Sequence, residues 1–145
     1  MFSSATSTPF GRQPPYAQAY RSMAAETGIT DASPHRLVLM LYDGLLESLA
    51  EARGAMRARD HERKGRAIGR AVRIVEEGLR GGLNLQAGGE LAQNLHQLYG
   101  YMATRLTQAN LRNDEQMLLE CQNLLQPLRD AWISISSAPA DKHDA

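Results

Sequence analysis

From Ser33 to about residue 136, hydrophobic positions recur at steps of three and four, the spacing that stacks side chains on one face of an α-helix. The first stretch opens at Asp31-Ala32-Ser33-Pro34. Ser33 offers a hydroxyl as N-cap, and Pro34 suits the first helical position, where no N–H is needed. This helix is predicted to run to about Arg59. Val38, Leu41, Leu45, Leu49, Ala52 and Met56 form one apolar row, flanked by Leu39, Tyr42, Leu46 and Ala50. Leu37, Met40 and Gly44 lie on the opposite side, so the first two turns are apolar nearly all round, more than one seam can hide.

Asp60 can cap a second helix to about Leu83, with Ile68, Ala71, Val72, Val75 and Leu79 as its inner row and Gly81-Gly82 fraying its end. Gly88-Gly89 separates a third helix carrying Leu91, Leu95, Leu98, Met102, Leu106 and Ala109. Asn113, with Gln116 three residues on, resembles a capping box for a fourth helix. Its inner row is Met117, Leu118, Cys121, Leu124, Leu125, Leu128, Trp132 and Ile135. Pro127 lies inside that helix and predicts a kink, because its ring crowds the carbonyl of Asn123 and removes a hydrogen bond. Long helices joined by short loops make antiparallel neighbours, so the expected fold is all-α, an antiparallel up-and-down four-helix bundle.

The ends differ. Residues 1–15 hold Pro9, Pro14, Pro15 and Gly11 in a Ser/Thr background and are expected to be a disordered extension. A short helix from Tyr16 to Glu26, ended by Gly28, is predicted to form a cap on the bundle, which then occupies residues 16–136. Residues 137–145 are expected to be a flexible tail. Phe2, Phe10, Tyr16 and Tyr20 put half of the chain's aromatics in its first 20 residues, which suits a segment that docks rather than one that only solvates.

Composition narrows the class. A chain of 145 residues with 43% apolar and 22% charged residues supports one core, and 6% aromatic content argues against a β-sandwich or barrel. Zero formal net charge removes the broad field of a nucleic-acid or membrane-surface binder. The single cysteine, Cys121, cannot close a disulfide within the chain. No stretch approaches the roughly 18 apolar residues of a membrane span, and the N-terminus lacks the apolar run of a secretory signal, so a cytoplasmic location is expected.

No catalytic constellation is visible. No Glu has a His three residues later, which excludes the di-iron bundle pattern, and His35, His61, His96 and His143 are scattered over separate segments. No metal, cofactor or enzymatic activity is expected. On the inner row Cys121 is desolvated, the opposite of what a nucleophile requires. Neither phosphate-loop pattern occurs around Gly81-Gly82 or Gly88-Gly89, and Asp43 with Glu47 reads as a solvated edge. His96 is a nominal phosphoacceptor.

Two features remain. Arg53, Arg57, Arg59, Arg63, Lys64, Arg66, Arg70 and Arg73 form a basic patch, on the second helix opposite Ile68 and Val75. It reads as a solvated face, and as the alternative function a nucleic-acid-binding helical bundle using Arg53 to Arg73. The surplus apolar surface of the first helix, with methionines 23, 40, 56, 102 and 117, fits a groove that receives an amphipathic partner, or equally self-association or docking of the N-terminal segment.

A set of fragments in order adds to this: Ala19-Tyr20, Ala32-Ser33-Pro34-His35-Arg36-Leu37, Met40-Leu41-Tyr42-Asp43-Gly44, Gly78-Leu79, Gly82-Leu83, Gly88-Gly89-Glu90-Leu91-Ala92, Leu98-Tyr99, Tyr101-Met102, Ala109-Asn110-Leu111-Arg112-Asn113-Asp114 and Ala131-Trp132. Over about residues 17 to 136 their order and spacing resemble the FliS family of flagellar secretion chaperones. The resemblance implies a cytoplasmic, non-enzymatic export chaperone that binds the disordered C-terminal region of flagellin. Such a chaperone prevents premature polymerisation and supports secretion by the flagellar type III apparatus. By position, Tyr20 matches the family's N-terminal cap tyrosine. Leu37, Met40, Leu41, Tyr42 and Leu45, with Ile74, Leu79 and Leu83, are the implied flagellin-groove candidates, though row membership leaves open which apolar face is groove and which is core. Asp at Met40 or Leu41 is expected to weaken binding. Family members also contact an export-gate component or an anti-sigma factor, and a homodimer in the absence of flagellin is compatible with the same surface. No nucleic acid and no membrane insertion are implied.

Overall fold

A computed structural model describes residues 33–137, and among them every regular element is helical. Helix α1 spans Pro34–Arg57, and α2 spans His61–Arg73 and continues without interruption as a π-helical segment, Ile74–Arg80. Helix α3 spans Gly89–Arg112 and α4 spans Glu115–Ser137. The expected disordered extension, the cap with Tyr20, and the tail beyond Ser137 lie outside the described residues.

The caps are local chemistry. Ser33 accepts a hydrogen bond from the Arg36 amide at 3.2 Å, and Pro34 begins α1. Asp60 caps α2 by accepting from the Arg63 amide at 3.1 Å. At the last turn the structure corrects the sequence reading. Asn113 does not cap α4 but ends α3 in the left-handed conformation, φ 51°, a conformation Asn tolerates better than most side chains. Asp114 takes the capping role, its carboxylate accepting from the Gln116 amide at 3.0 Å. The second difference is the winding of α2: the expected continuous α-helix widens into π-helix for its last seven residues. Helix α4 continues as one helix through Pro127, which is exposed.

A helix of 24 residues is about 36 Å long, more than even the longest of the linkers 58–60, 81–88 and 113–114 can span when fully extended, so each chain segment turns back on the one before it. Side-chain bonds fit that arrangement. Arg70 of α2 reaches Gly44 and Ser48 of α1, whereas Arg63, near the start of α2, pairs with Glu51. Arg53 meets Glu115 at the start of α4, and His35 meets Trp132 near its end. Leu41, Leu45, Leu49, Val75, Met102, Leu106, Leu118, Cys121 and Leu125, all without appreciable exposure, make the centre of one core shared by four helices.

Lys64 is an unusual member of the interior, only 6% exposed. Its Nζ donates to the Asn110 carbonyl at 3.0 Å and to the side-chain oxygen of Asn113, so a buried cation closes the C-terminal end of α3, where the macrodipole favours positive charge. Asn113→Ala removes an acceptor of that cation and leaves a residue poorly suited to φ 51°. It is expected to cost about 2 kcal/mol in urea unfolding. A loss below about 0.5 kcal/mol, the range of an ordinary surface change, would contradict this.

Candidate functional site: an apolar hollow at one end of the bundle

The antiparallel order brings the start of α1, the end of α2, the start of α3 and the end of α4 to the same end of the bundle. There the helices do not close completely. An apolar hollow of about 130 Å³ lies among Val38 and Tyr42 of α1, Gly78 and Leu79 of the π-helical segment, Gly82 and Leu83 beyond it, Leu95 and Tyr99 of α3, and Trp132 of α4. It is close to the size of a dry cavity that holds one benzene, so it suits a single large aliphatic or phenyl side chain.

Polar groups in its walls are satisfied. The Tyr42 and Tyr99 hydroxyls, both buried, are hydrogen-bonded to one another at 2.7 Å. Burial pushes the Tyr42 hydroxyl above its ordinary pKa, outweighing the opposing effect of that bond, and it stays protonated at neutral pH. Beside the hollow, the His35 and Trp132 rings stack with centroids 4.6 Å apart and planes 9° from parallel. Nε2–H of His35 donates to the Trp132 carbonyl at 2.8 Å, and Nε1–H of Trp132 donates back to the His35 carbonyl at 2.9 Å. This reciprocal clasp ties the start of α1 to the end of α4 and fixes the indole that walls the hollow.

The structure separates the sequence candidates. Tyr42, Leu79 and Leu83 line the hollow. Leu41 and Leu45 have no exposed surface, and Ile74 is 4% exposed, so all three are inside the closed bundle. Leu37 and Met40 are half-buried and do not line the hollow. Sequence reasoning did not single out Val38, Gly78, Gly82, Leu95 or Trp132 as site residues. The signal available was the glycine pair Gly78 and Gly82 in an otherwise helix-forming run, which leaves a bare backbone where a wall is needed. Ile135 and Leu91, on predicted apolar rows, are instead 48% and 68% exposed.

The family model for the flagellar protein FliS matches residues 16–139, nearly all of the chain and every element that builds the hollow. The chain belongs to the FliS family. It is 44% identical over 119 residues to the flagellar secretion chaperone FliS of Salmonella typhimurium, covering 82% of this chain and 88% of that one. It is 45% identical over 117 residues to the flagellar secretion chaperone FliSB of Pseudomonas aeruginosa, covering 81% and 92%. With FliS of Bacillus subtilis the identity is 38% over 132 residues, 90% and 93% of the two chains. The relatives of this FliS-family chain are thus named as chaperones, a role that needs binding surface rather than reactive groups.

The basic patch of this FliS-family chain is largely engaged within the fold. Arg53 and Arg57 both pair with Glu115, at 3.0 and 2.7 Å, Arg63 pairs with Glu51 at 2.7 Å, and Arg66 pairs with Glu62 at 3.5 Å. Arg70, expected on a solvated face, instead reaches inward to the Gly44 carbonyl at 3.1 Å and the Ser48 hydroxyl at 2.7 Å. Arg59 and Arg73 are exposed. The hydrogen bond from Arg57, then that from Arg53, lowers the pKa of Glu115 below the ordinary carboxylate value. Bonds from Tyr101 and then Arg105 do the same for Glu120. Arg53, Arg57, Arg63 and Arg66 would each first have to leave a carboxylate to neutralise a phosphate backbone.

Cys121 is fully buried, and desolvation pushes its thiol from 9.0 up to about 12. Native protein at pH 8 is therefore expected to resist iodoacetamide and to react once unfolded in urea, read by intact mass; rapid native alkylation would contradict the placement. The sign of the linked pH effect follows. The unfolded thiol ionises above about 9 while the folded one stays protonated, so stability falls as pH rises from there towards 12. Among the described residues, no group of three or more His, Cys, Asp or Glu is arranged to hold a metal ion, and no helix is long and apolar enough to cross a membrane.

Proposed function

We propose that this chain is a cytoplasmic export chaperone that binds the disordered C-terminal region of flagellin and keeps it from polymerising before secretion by the flagellar type III apparatus. The single observation that carries the reading is the apolar hollow in a chain of the FliS family, formed at one end of the bundle and sized for a side chain that none of the described residues supplies. A disordered guest loses several kcal/mol of entropy on ordering, so it needs apolar anchors rather than polar contacts alone. Tyr42, Leu79 and Leu83 form the anchor site in the hollow, and Leu37 and Met40 extend an apolar track along α1. Leu41, Leu45 and Ile74 support that track from within.

Tyr20 acts as the cap anchor when flagellin is absent. The chain enters α1 at Ser33, at the end of the bundle that carries the hollow, and thirteen residues reach at most about 45 Å, enough to bring Tyr20 to it. An export-gate component or an anti-sigma factor would meet the chaperone elsewhere on its surface.

Titration calorimetry with a synthetic flagellin C-terminal peptide tests the reading. One peptide is expected to bind one chain with a negative heat-capacity change, the mark of apolar burial. Absence of heat and of any peptide helicity on mixing would sink it.

A further inference from the structure

The π-helical segment walls the hollow and at the same time supplies Ile74, Val75 and Leu79 to the core. In an α-helix the Gly81 amide would bond to Glu77; here it donates to the Glu76 carbonyl at 2.9 Å, five residues back. One more residue is thereby held in the turn. Ile74 and Leu79, five apart and about 140° away from each other on an α-helix, are instead both buried, 4% and 5% exposed. Two features secure this winding. A Cβ on Gly81 would stand 2.8 Å from the Glu77 carbonyl oxygen, so the π turn closes only over glycine. Beside it, the Arg80 guanidinium lies over Gly100 of α3, 2.7 Å from where a Cβ would be, which ties the end of the segment to α3, while its pair with Glu76 at 3.1 Å has the ordinary i,i+4 spacing.

We propose that this winding determines the specificity of the hollow, by setting the register in which Gly78 and Leu79 form its wall. Rewinding to α-helix turns everything beyond Glu77 by about 100°, the step of one residue, and carries Leu79 out of the wall. Gly78 then leaves its seat against Leu41, whose methyl carbons lie 3.1 Å from the position a Gly78 Cβ would take. The extra residue thus acts as a shim: it leaves the bundle's core in register while changing which side chains meet the guest. This inference deepens the guest-binding reading and depends on it only for the guest's identity.

The test uses xenon as a probe of the hollow, followed by methyl NMR of the full chain, with the flagellin peptide as a separate arm. Gly81→Ala disfavours the π turn and favours α winding, and is expected to weaken xenon-induced shifts of the Leu79 and Leu83 methyls about tenfold. Deleting Glu77 in that background removes the residue that the π turn accommodates, and is expected to restore them. Restoration by a deletion is a result that mere damage to the fold does not produce. The proposal is overturned if Gly81→Ala binds xenon as the parent does, or if the folded double variant stays weak. Should Gly81→Ala fail to fold, deletion of Glu77 alone decides: xenon binding retained supports the register argument, and binding lost overturns it. If xenon behaves as expected while the parent chain ignores the peptide, the flagellin reading fails and the register inference stands.

Discussion

Leu83→Asp is expected to lower the affinity for a flagellin C-terminal peptide about a hundredfold, with the melting temperature changed by no more than about 4 °C. Leu83 lines the hollow yet is only half-buried, so a carboxylate there stays hydrated in the free chaperone and costs the fold little. The cost appears when a guest side chain enters. Apolar contact with Leu83, worth about 1.5–3 kcal/mol when fully buried, is lost, and the carboxylate must shed water against an apolar surface. Together these reach the roughly 2.7 kcal/mol that corresponds to a hundredfold. Met40→Asp is the informative comparison, because Met40 is half-buried on the same end of α1 but outside the hollow. A smaller loss there, below about tenfold, is expected. Calorimetry that finds Met40→Asp crippling and Leu83→Asp harmless would move the guest's anchor from the hollow to the outer side of α1.

The second large effect is on stability. Leu45→Ala is expected to cost about 3–5 kcal/mol and to lower the melting temperature by about 10–20 °C, because Leu45 is completely enclosed and its removal leaves a cavity that rigid helices cannot fill. Leu91→Ala, by contrast, should fall within about 0.5 kcal/mol, since Leu91 is 68% exposed. Both leucines sit on apolar rows in the sequence, so denaturant unfolding of the pair tests the assignment of core against surface. Equal losses at the two positions would mean that α3 packs more deeply at its start than the structure places it.

These pairs mark where sequence reasoning stops. The helix starts at Ser33 and Asp60 were legible because N-caps are local: a side-chain oxygen within three residues of an orphan amide is enough. Asn113 misled because the same residue type serves as a left-handed terminator and as an N-cap, and only its contact with Lys64 and its backbone geometry separate the two. Arg70 misled differently. Its position on the polar arc of α2 is correct, yet a long flexible side chain can turn back from the edge of that arc to a carbonyl on the neighbouring helix. The π winding of Ile74–Arg80 had no reading at all, since periodicity analysis assumes one helical pitch throughout.

What the sequence determined by itself is the all-helical class, the approximate limits of the four helices among the described residues, and family membership, because each depends on residue type and spacing along the chain. The tertiary structure alone decided which apolar residues are core and which are free to meet a guest. Leu41 and Leu83 are chemically alike, and on a helical wheel both are simply apolar. One is completely enclosed in the core and the other lines the hollow while only half-buried. Burial is a property of what the remaining helices bring to a position, and the local pattern of a single helix does not contain that information.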